Sequence, residues 1–381
     1  MDTPQSSKEA ETFAWIRPEA LKIIEQPKGS TAKAQSSINK AYDVRKKTKP
    51  KEAPASHLVE ASAASAARPP KAEFKLTTRD NKLWTAKVSP TFLTAVCEVI
   101  GQEIIRLCSP KHTHKTRFAN LNGKLGVISE KIVGYSPIEE NFRLPQNGVA
   151  RRTFLHGLGM TTLLSAVLNE TDLKLEHIDK TTGEKIDGDY LFSFVQYKKF
   201  LEGAEINEAE ISALPYRIRG NPHQWLDQIQ GEQIGSAKHL IFKGLNADPD
   251  LRSGVNEAAL RLLLVQDEQW KALISSHIVY PETVCLLFEG LKNQLTQLKE
   301  AMLKNESFKS FVRSPKAEEI KSHHLMHLRD FKIIKKLALI NIENYGDLKT
   351  VVNRSFDHLK RLAPMSSSDA SFKEKSIKMT R

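Results

Sequence analysis

The sequence predicts an α+β protein with two lobes, a small lobe built from a β-sheet and one helix and a larger lobe built mainly from helices. Short runs of alternating apolar and polar residues, which are typical of strands, fall before about residue 150. Beyond about residue 200 the apolar residues recur at the spacing of helices. A length of 381 residues allows two compact units of about 150 residues each.

Both ends of the chain have compositions that do not favour folding. Residues 1–70 are rich in Ala, Ser, Lys and Pro, and residues 366–381 are mostly polar. Such segments bury too little apolar surface to offset the loss of chain entropy. We therefore expect a disordered basic arm over 1–70, with one short helix near 18–25, and a disordered tail over 366–381.

The small lobe is predicted over 71–150. Alternating runs on either side of a polar turn indicate a hairpin, and an N-cap followed by proline and helically spaced apolar residues indicates a helix. In chain order, the elements expected here are strands at 73–78 and 82–88, a helix from Ser89 to Pro110, a basic loop at 111–117, and strand-like segments at 125–129 and 131–135.

The large lobe is predicted over 151–365. Its apolar spacing is helical from Thr153 to Leu168, after which come an acidic segment, a turn at 179–183 and a strand-like stretch from Lys185. The later helices are expected at 256–266, 282–304, 316–338 and 346–362.

Charge and cysteine content limit the classes of partner and compartment. The chain has 57 Lys and Arg against 45 Asp and Glu, and a net charge of +12 favours an anionic partner. Three cysteines without CxxC spacing do not suggest a disulfide framework, so we expect buried thiols in a reducing compartment. We identify no signal peptide and no transmembrane segment in the sequence.

The segment Glu170-Thr-Asp-Leu-Lys-Leu-Glu-His-Ile resembles the protein-kinase catalytic loop H-R-D-L-K-P-E-N-I. Five positions coincide at identical spacing: Asp172, Leu173, Lys174, Glu176 and Ile178. The resemblance implies that Asp172 accepts the proton of the substrate hydroxyl and that Lys174 contacts the moving phosphoryl group. His177 occupies the position of a metal-binding Asn.

Two further segments extend the resemblance. Asp187, in Ile186-Asp-Gly-Asp-Tyr, corresponds to the aspartate that supplies the main magnesium ligand in kinases, with Asp189 as the alternative. Lys87 corresponds to the strand lysine that holds the ATP phosphates. Its ion-pair partner on the following helix is expected to be Glu98 or, failing that, Glu103.

The chain also departs from the kinase pattern. It has no G-x-G-x-x-G loop and no A-P-E segment, and Glu170-Thr171 replaces His-Arg before the aspartate. Asp187-Gly-Asp189 stands in place of Asp-Phe-Gly. Because imidazole suits manganese better than magnesium, His177 leaves Mg²⁺ and Mn²⁺ both open as cofactors.

Over about residues 74–195 the chain is similar to the atypical, secreted effector protein kinases of Legionella, in particular to the type that requires host inositol hexakisphosphate. Further segments that carry this likeness are 98–110, 126–129 and 134–138. The resemblance implies a bacterial protein delivered by type IV secretion into the host cytoplasm. It also implies ATP, a divalent cation, a host protein Ser/Thr acceptor and a polyanionic activator.

A polyanionic activator requires converging basic side chains, and two clusters have helical spacing. The candidates are Arg329, Lys332 and Lys336 in one cluster and Arg354, His358 and Arg361 in the other. The alternative for each cluster is a solvated helix face.

Other functions stay open at this point. The acceptor could be a lipid or a small molecule, and the basic C-terminal helix could contact a phosphoinositide membrane. A non-catalytic, polyanion-binding scaffold is the alternative from a different class. Nucleic acid is not the partner that we expect, and such binding would weaken steeply with salt.

Overall fold

The computed structural model describes most of the chain outside its two ends. The described residues are 13–24, 76–77, 83–109, 115–132, 134–139, 142–171, 173–185, 191–192, 205–216, 242, 244–343 and 345–363. Within them the protein is mixed α+β, mostly helical, with one small sheet. The predicted α+β class is confirmed at this level.

The sheet lies in the first part of the chain. Its described strands are β1 (Leu21–Ile24), β2 (Leu76–Thr77), β3 (Leu83–Val88), β4 (Thr116–Leu121) and β5 (Lys124–Glu130). They are arranged in the order β1-β4-β5-β3-β2. Strands β3, β5 and β4 form the antiparallel centre, β2 adds two residues at one edge, and β1 pairs in parallel with β4 at the other.

The prediction of a disordered arm over 1–70 is wrong for residues 13–24. A short 3₁₀ helix at Pro18–Ala20 leads into β1, so the helix expected near 18–25 is largely replaced by a strand. Ile16 is only 2% exposed and belongs to the main core. This short apolar segment is ordered because it packs against distant parts of the chain, which its local composition does not reveal.

The hairpin after α1 agrees only in part with the predicted strands. The strand expected at 125–129 is confirmed within β5, but β5 pairs with β4, which begins inside the predicted basic loop, and the described residues of 131–135 form no strand. The turn is Asn122-Gly123, with both residues at positive φ (54° and 82°). An Asn-Gly pair with this backbone is typical of a two-residue hairpin turn, and that signal was missed.

The helices that are described number ten. They are α1 (Phe92–Cys108), α2 (Gly148–Val167), α3 (Glu208–Ala213), α4 (Pro249–Leu264), α5 (Asp267–Ser275), α6 (Pro281–Lys304), α7 (Glu306–Val312), α8 (Pro315–Asp330), α9 (Ile333–Ala338) and α10 (Leu348–Leu362). Helix α1 begins two residues later than predicted, because Thr91, whose hydroxyl accepts from Thr94 N at 3.0 Å, is the N-cap.

Helices α2 and α4 form the centre of the helical part. Gly159 and Gly254 allow them to cross closely, because a Cβ at Gly159 would lie 2.2 Å from Leu251 O and one at Gly254 1.9 Å from His156 O. Helix α1 packs against β4 and β5 on one side and against α4 and α8 on the other, and it is buried over most of its length. The helix that carries Glu98 is therefore held on two sides.

Two further predictions need correction. The single helix expected over 316–338 is broken at Phe331 and Lys332, where Lys332 adopts a left-handed conformation (φ 52°).

Cys97 and Cys108 are buried, but Cys285 is exposed on the outer face of amphipathic helix α6. Among the described helices, none has both the length and the apolar run that crossing a bilayer requires.

Candidate functional site

Lys87 and Glu98 form an ion pair between the sheet and α1. Lys87 Nζ lies 2.9 Å from Glu98 Oε1, with the lysine side chain 24% exposed and the carboxylate 4% exposed. Because side chains alternate along β3, Lys87 lies on the sheet face opposite buried Ala86. The pair therefore holds a lysine with a partly exposed side chain at the junction of strand and helix.

The structure distinguishes the two glutamates that the sequence left as alternatives. Glu98 contacts Lys87, whereas Glu103, five residues further along α1, contacts two arginines. Its carboxylate receives Arg106 Nη2 at 2.6 Å and Arg117 Nη1 at 2.6 Å. Of the two, Glu98 is the lysine's partner.

The segment that resembles a catalytic loop is fixed by a buried ion pair. Lys185 Nζ contacts Glu170 Oε1, and the two side chains are 1% and 2% exposed. Ile178 and Lys185 form a β-bridge, and Asp179 N donates to Glu184 O at 2.8 Å, so the chain reverses between them. The pairing of Glu170 with Lys185 was not predicted, because nothing in the local sequence links the two residues.

This ion pair lies close in sequence to both acidic segments. Glu170 precedes Asp172 by two residues, and Lys185 precedes Asp187 by two residues. Asp172, Asp187 and Asp189 themselves lie outside the described residues. The described geometry therefore ends next to the predicted catalytic and metal-binding positions.

The turn from 179 to 184 is anchored from several directions. The Asp179 carboxylate accepts from Ser136 N at 2.8 Å and from Thr181 N at 2.8 Å. Burial alone would raise the pKa of Asp179, but these hydrogen bonds, with that of the Thr181 hydroxyl, lower it. Gly157 lets the turn approach α2, because a Cβ there would lie 1.8 Å from Thr182 O. The turn that follows the first acidic segment is thus held against Ser136 and α2.

Lys174 and His177 lie in the described part of the same loop. Lys174 is half-buried, and its carbonyl accepts from His177 N at 3.0 Å within a short 3₁₀ turn. His177 is buried, with Nε2 3.8 Å from Glu176 Oε1. Tyr135 donates its hydroxyl to Glu176 O at 2.8 Å, which ties the loop to the segment that follows the sheet.

The basic residues predicted to bind a polyanion do not form the expected faces. Arg329, Lys332 and Lys336 were placed on one continuous helix, which is wrong because the break at 331–332 separates them. Arg329 and Lys332 are exposed, whereas Lys336 turns inward and donates to Ser276 Oγ at 2.7 Å. The other predicted cluster is exposed on α10: Arg354, His358 and Arg361.

Lys336 instead joins a cluster that sequence reasoning missed. Burial lowers its pKa to about 8, and among its charged neighbours Glu103 opposes this while Arg117 and Arg106 add to it. Arg106 and Arg117 are about one-fifth exposed, at 19% and 20%. These three cations around one carboxylate, Glu103, form what we call the junction cluster, since α1, β4 and α9 each contribute to it.

A buried histidine borders the junction cluster. Burial lowers the pKa of His277 to about 4, although the charge of Glu103 favours its protonation. Its Nδ1 lies 3.0 Å from Ser276 Oγ, the atom that accepts from Lys336. The spacing of these residues in sequence, 103, 117, 277 and 336, explains why no local motif pointed to them.

No group of three or more His, Cys, Asp or Glu side chains within the described ranges is placed to hold a metal ion. The predicted metal ligands Asp187 and Asp189 are not among those residues. No protein-family model matches the chain, and no curated protein matches it either.

Proposed function

We propose that this chain is an atypical, two-lobed protein kinase that transfers the γ-phosphoryl group of ATP to a protein Ser or Thr hydroxyl. The observation that carries the proposal is the ion pair between Lys87 on β3 and Glu98 on α1. Kinases position the ATP phosphates with such a strand lysine and helix glutamate. The pair combines a buried carboxylate with a lysine whose side chain is partly exposed.

The ion pair that borders both acidic segments in sequence supports the same proposal. The contact between Glu170 and Lys185 draws together the chain just before Asp172 and just before Asp187. In this proposal Asp172 orients and deprotonates the acceptor hydroxyl, and Lys174 contacts the transferred phosphoryl group. Glu170 occupies the position at which kinases have His. In this proposal the buried ion pair between Glu170 and Lys185 supports the loop in place of that His.

A divalent cation fits the donor chemistry of the second acidic segment. Asp187 and Asp189 offer the carboxylate oxygens that Mg²⁺ and Mn²⁺ prefer, and His177 offers a nitrogen that suits Mn²⁺ better. When bound, the cation neutralises charge on the phosphates of ATP.

Activation by inositol hexakisphosphate is part of the proposal, with the junction cluster as its site. Arg106, Arg117 and Lys336 place three positive charges against the single carboxylate of Glu103. Such an excess of cations is costly without an anion and becomes favourable when phosphates bind. Because the cluster joins the two parts of the molecule, a bound polyanion would stabilise their packing.

The kinase proposal is tested by incorporation of labelled γ-phosphate into the protein itself and into a generic basic protein. The assay is run with Mg²⁺ or Mn²⁺, with and without inositol hexakisphosphate. Lys87→Met and Asp187→Ala are expected to lower incorporation by about 100-fold or more, because each removes a group that holds the phosphates or their cation. Lys131→Met is the matched control, since Lys131 is an exposed lysine just after β5.

Three outcomes would contradict or redirect the proposal. Undiminished incorporation in both Lys87→Met and Asp187→Ala would rule out this site. Absence of both ATP binding and incorporation in the unaltered protein would favour the non-catalytic scaffold. Affinity for nucleic acid that falls steeply with salt and survives both substitutions would favour nucleic-acid binding.

The polyanion site is tested separately by titration calorimetry with inositol hexakisphosphate. Lys336→Met is expected to lower the affinity by about tenfold or more, because one charge-assisted contact is lost. Without ligand, the same variant should be at least as stable as the unaltered protein at pH 7, since one crowded cation has gone. Arg361→Met on α10 is the control, and a loss of affinity in that variant alone would move the site to α10.

A further inference from the structure

Residues 13–24, which we call the N-terminal strap, run across both parts of the molecule. The strap enters beside the segment between α5 and α6, continues through the 3₁₀ turn at Pro18–Ala20 and ends as β1. Within it, Ile16 is 2% exposed and Ala20 is 6% exposed. The strap is therefore part of the packed structure and is not an appendage.

The first half of the strap binds the helical part through its backbone. Arg17 N donates to His277 O at 2.9 Å, and Val279 N donates to Trp15 O at 2.9 Å. Between these bonds, Ile16 and Ile278 form an antiparallel bridge. Arg17 also donates its Nε to Ser275 O.

The second half binds the sheet. Residues 21–24 pair in parallel with 118–121 of β4, so that β1 covers what would otherwise be an open sheet edge. The strap is thus hydrogen-bonded to the helical part at one end and to the sheet at the other. The strap therefore connects these two regions through a short, ordered stretch of chain.

Trp15 connects the strap to the helix that carries Glu98. Its ring stacks on Tyr280, with centroids 4.9 Å apart, and meets Phe92 edge-on, with centroids 5.3 Å apart. Phe92 is the first residue of α1. Glu98 lies six residues further along the same helix, which corresponds to less than about two turns.

We propose that the N-terminal strap positions α1 for ATP binding, and that Trp15 is the positioning residue through which it acts. The ring fills the space between Tyr280 of the helical part and Phe92 of α1, so its loss would free the first turns of α1 to shift. A shift there moves Glu98 relative to Lys87, which stays fixed in the sheet. The inference rests on the proposed function, because it assumes that this ion pair holds the ATP phosphates.

The test compares the full-length variants Trp15→Ala and Trp15→Phe with the unaltered protein. Hydrogen exchange of the amides in the first two turns of α1 reports on the helix without requiring activity. Trp15→Ala is expected to speed this exchange by about tenfold, while Trp15→Phe, which keeps an aromatic ring, restores most of the protection. In the phosphotransfer assay, kcat/KM for ATP should fall by about tenfold in Trp15→Ala while KM for the protein acceptor is unchanged.

Phe311→Ala supplies the matched control. Phe311 is also a partly buried aromatic residue, but it stacks on Phe308 in the helical part, with ring centroids 6.4 Å apart. This variant is expected to leave exchange in α1 unchanged, so any general destabilisation by loss of a ring is separated from a specific effect on α1.

The outcomes distinguish the strap from the proposed function. Unchanged exchange in α1 of Trp15→Ala, or equal acceleration in Phe311→Ala, would overturn the positioning role. Faster exchange in α1 of Trp15→Ala, in a protein that neither binds ATP nor transfers phosphate, would support the mechanical role of the strap while the kinase proposal fails. Faster exchange in Trp15→Ala with unchanged kcat/KM for ATP would show that α1 does not position the nucleotide.

Discussion

Glu103 is a buried carboxylate that two arginines keep charged. Burial alone would raise its pKa, but the charges of Arg117 and Arg106 outweigh burial and lower it from 4.5 to about 2. Since the folded pKa lies below the unfolded value, the carboxylate stabilises the fold fully above about pH 4.5 and loses this contribution as the pH falls toward 2. A shift of this size corresponds to roughly 3 kcal/mol.

We therefore predict that Glu103→Gln is less stable than the unaltered protein at pH 7 by roughly 3 kcal/mol, and that the difference shrinks below about pH 4.5. Urea denaturation at a series of pH values between 7 and 3 measures both quantities. Glu343→Gln, at an exposed position, should show little difference at any pH. A stability difference for Glu103→Gln that does not change with pH would contradict the assigned ion pairs.

His277 adds a second pH effect at a different range. Burial lowers its pKa from 6.5 to about 4. Between these values the unfolded chain takes up a proton that the folded protein does not, so stability falls as the pH drops from about 6.5 to 4. Acid destabilisation should therefore begin before Glu103 is protonated. His277→Gln should reduce that first phase in the same urea measurements, and the rest of it is expected from His324 and His327, because burial lowers the pKa of both.

Some ion pairs could be predicted from the sequence and others could not. Lys87 and Glu98 lie on adjacent elements, and the resemblance to kinases predicted that the lysine pairs with a glutamate on the following helix. Glu170 with Lys185 and Glu103 with Arg117 arise because the chain reverses or a hairpin folds back. Such contacts depend on turn positions, and ion pairs carry no periodic signal in sequence.

The break between α8 and α9 places one residue in a strained backbone conformation, which costs stability. Lys332 adopts φ 52° and ψ 42°, a conformation that strains residues with a Cβ and suits glycine. Lys332→Gly is therefore predicted to stabilise the protein by about 0.5–1 kcal/mol. Thermal unfolding monitored by circular dichroism measures the change.

Lys335→Gly provides the opposite case on the same short helix. Lys335 is exposed within α9, where glycine costs about 1 kcal/mol relative to a good helix former. If both glycine variants were destabilised to the same extent, Lys332 would be helical in solution. The assignment of a break between α8 and α9 would then be wrong.

Elements with strong local signals were predicted well, and those that depend on distant contacts were not. Helix α1 has helically spaced apolar residues and a polar residue at its start, and its predicted bounds lie within a few residues of those observed. Strand β1 was missed because its stability comes from pairing with β4, nearly 100 residues away. β4 was missed because its first two residues end the basic run 111–117, which suggested a loop, although Thr116 and Phe118 are fully buried.

Helix α1 is the element to which the other proposed features connect. It carries Glu98 toward the sheet, Glu103 toward the junction cluster, and Phe92 toward the strap. Gly101 lies between them, and a Cβ there would be 2.4 Å from Leu191 Cδ1, so the chain after the second acidic segment also packs on this helix. A change in the position of α1 would therefore alter the proposed ATP site, the proposed polyanion site and the packing of the strap together.

The strap and the junction cluster also share one segment of chain. Arg17 binds the carbonyl of His277, while the side chains of Ser276 and His277 border Lys336. Sequence could not predict this connection, because it requires the segment between α5 and α6 to contact three separate regions. Binding of a polyanion at the cluster and ordering of the strap are expected to favour each other.

The exposure of Cys285 allows selective labelling of this thiol. Thiol-reactive dyes require an accessible thiolate, whereas Cys97 is buried and burial raises the pKa of Cys108 to about 12. Cys285 lies five residues after Tyr280, the ring on which Trp15 stacks. A fluorophore can therefore be attached at one position of the unaltered chain, on the helix whose N-cap residue, Tyr280, stacks on Trp15, and its emission would report changes in the packing of the strap on that helix.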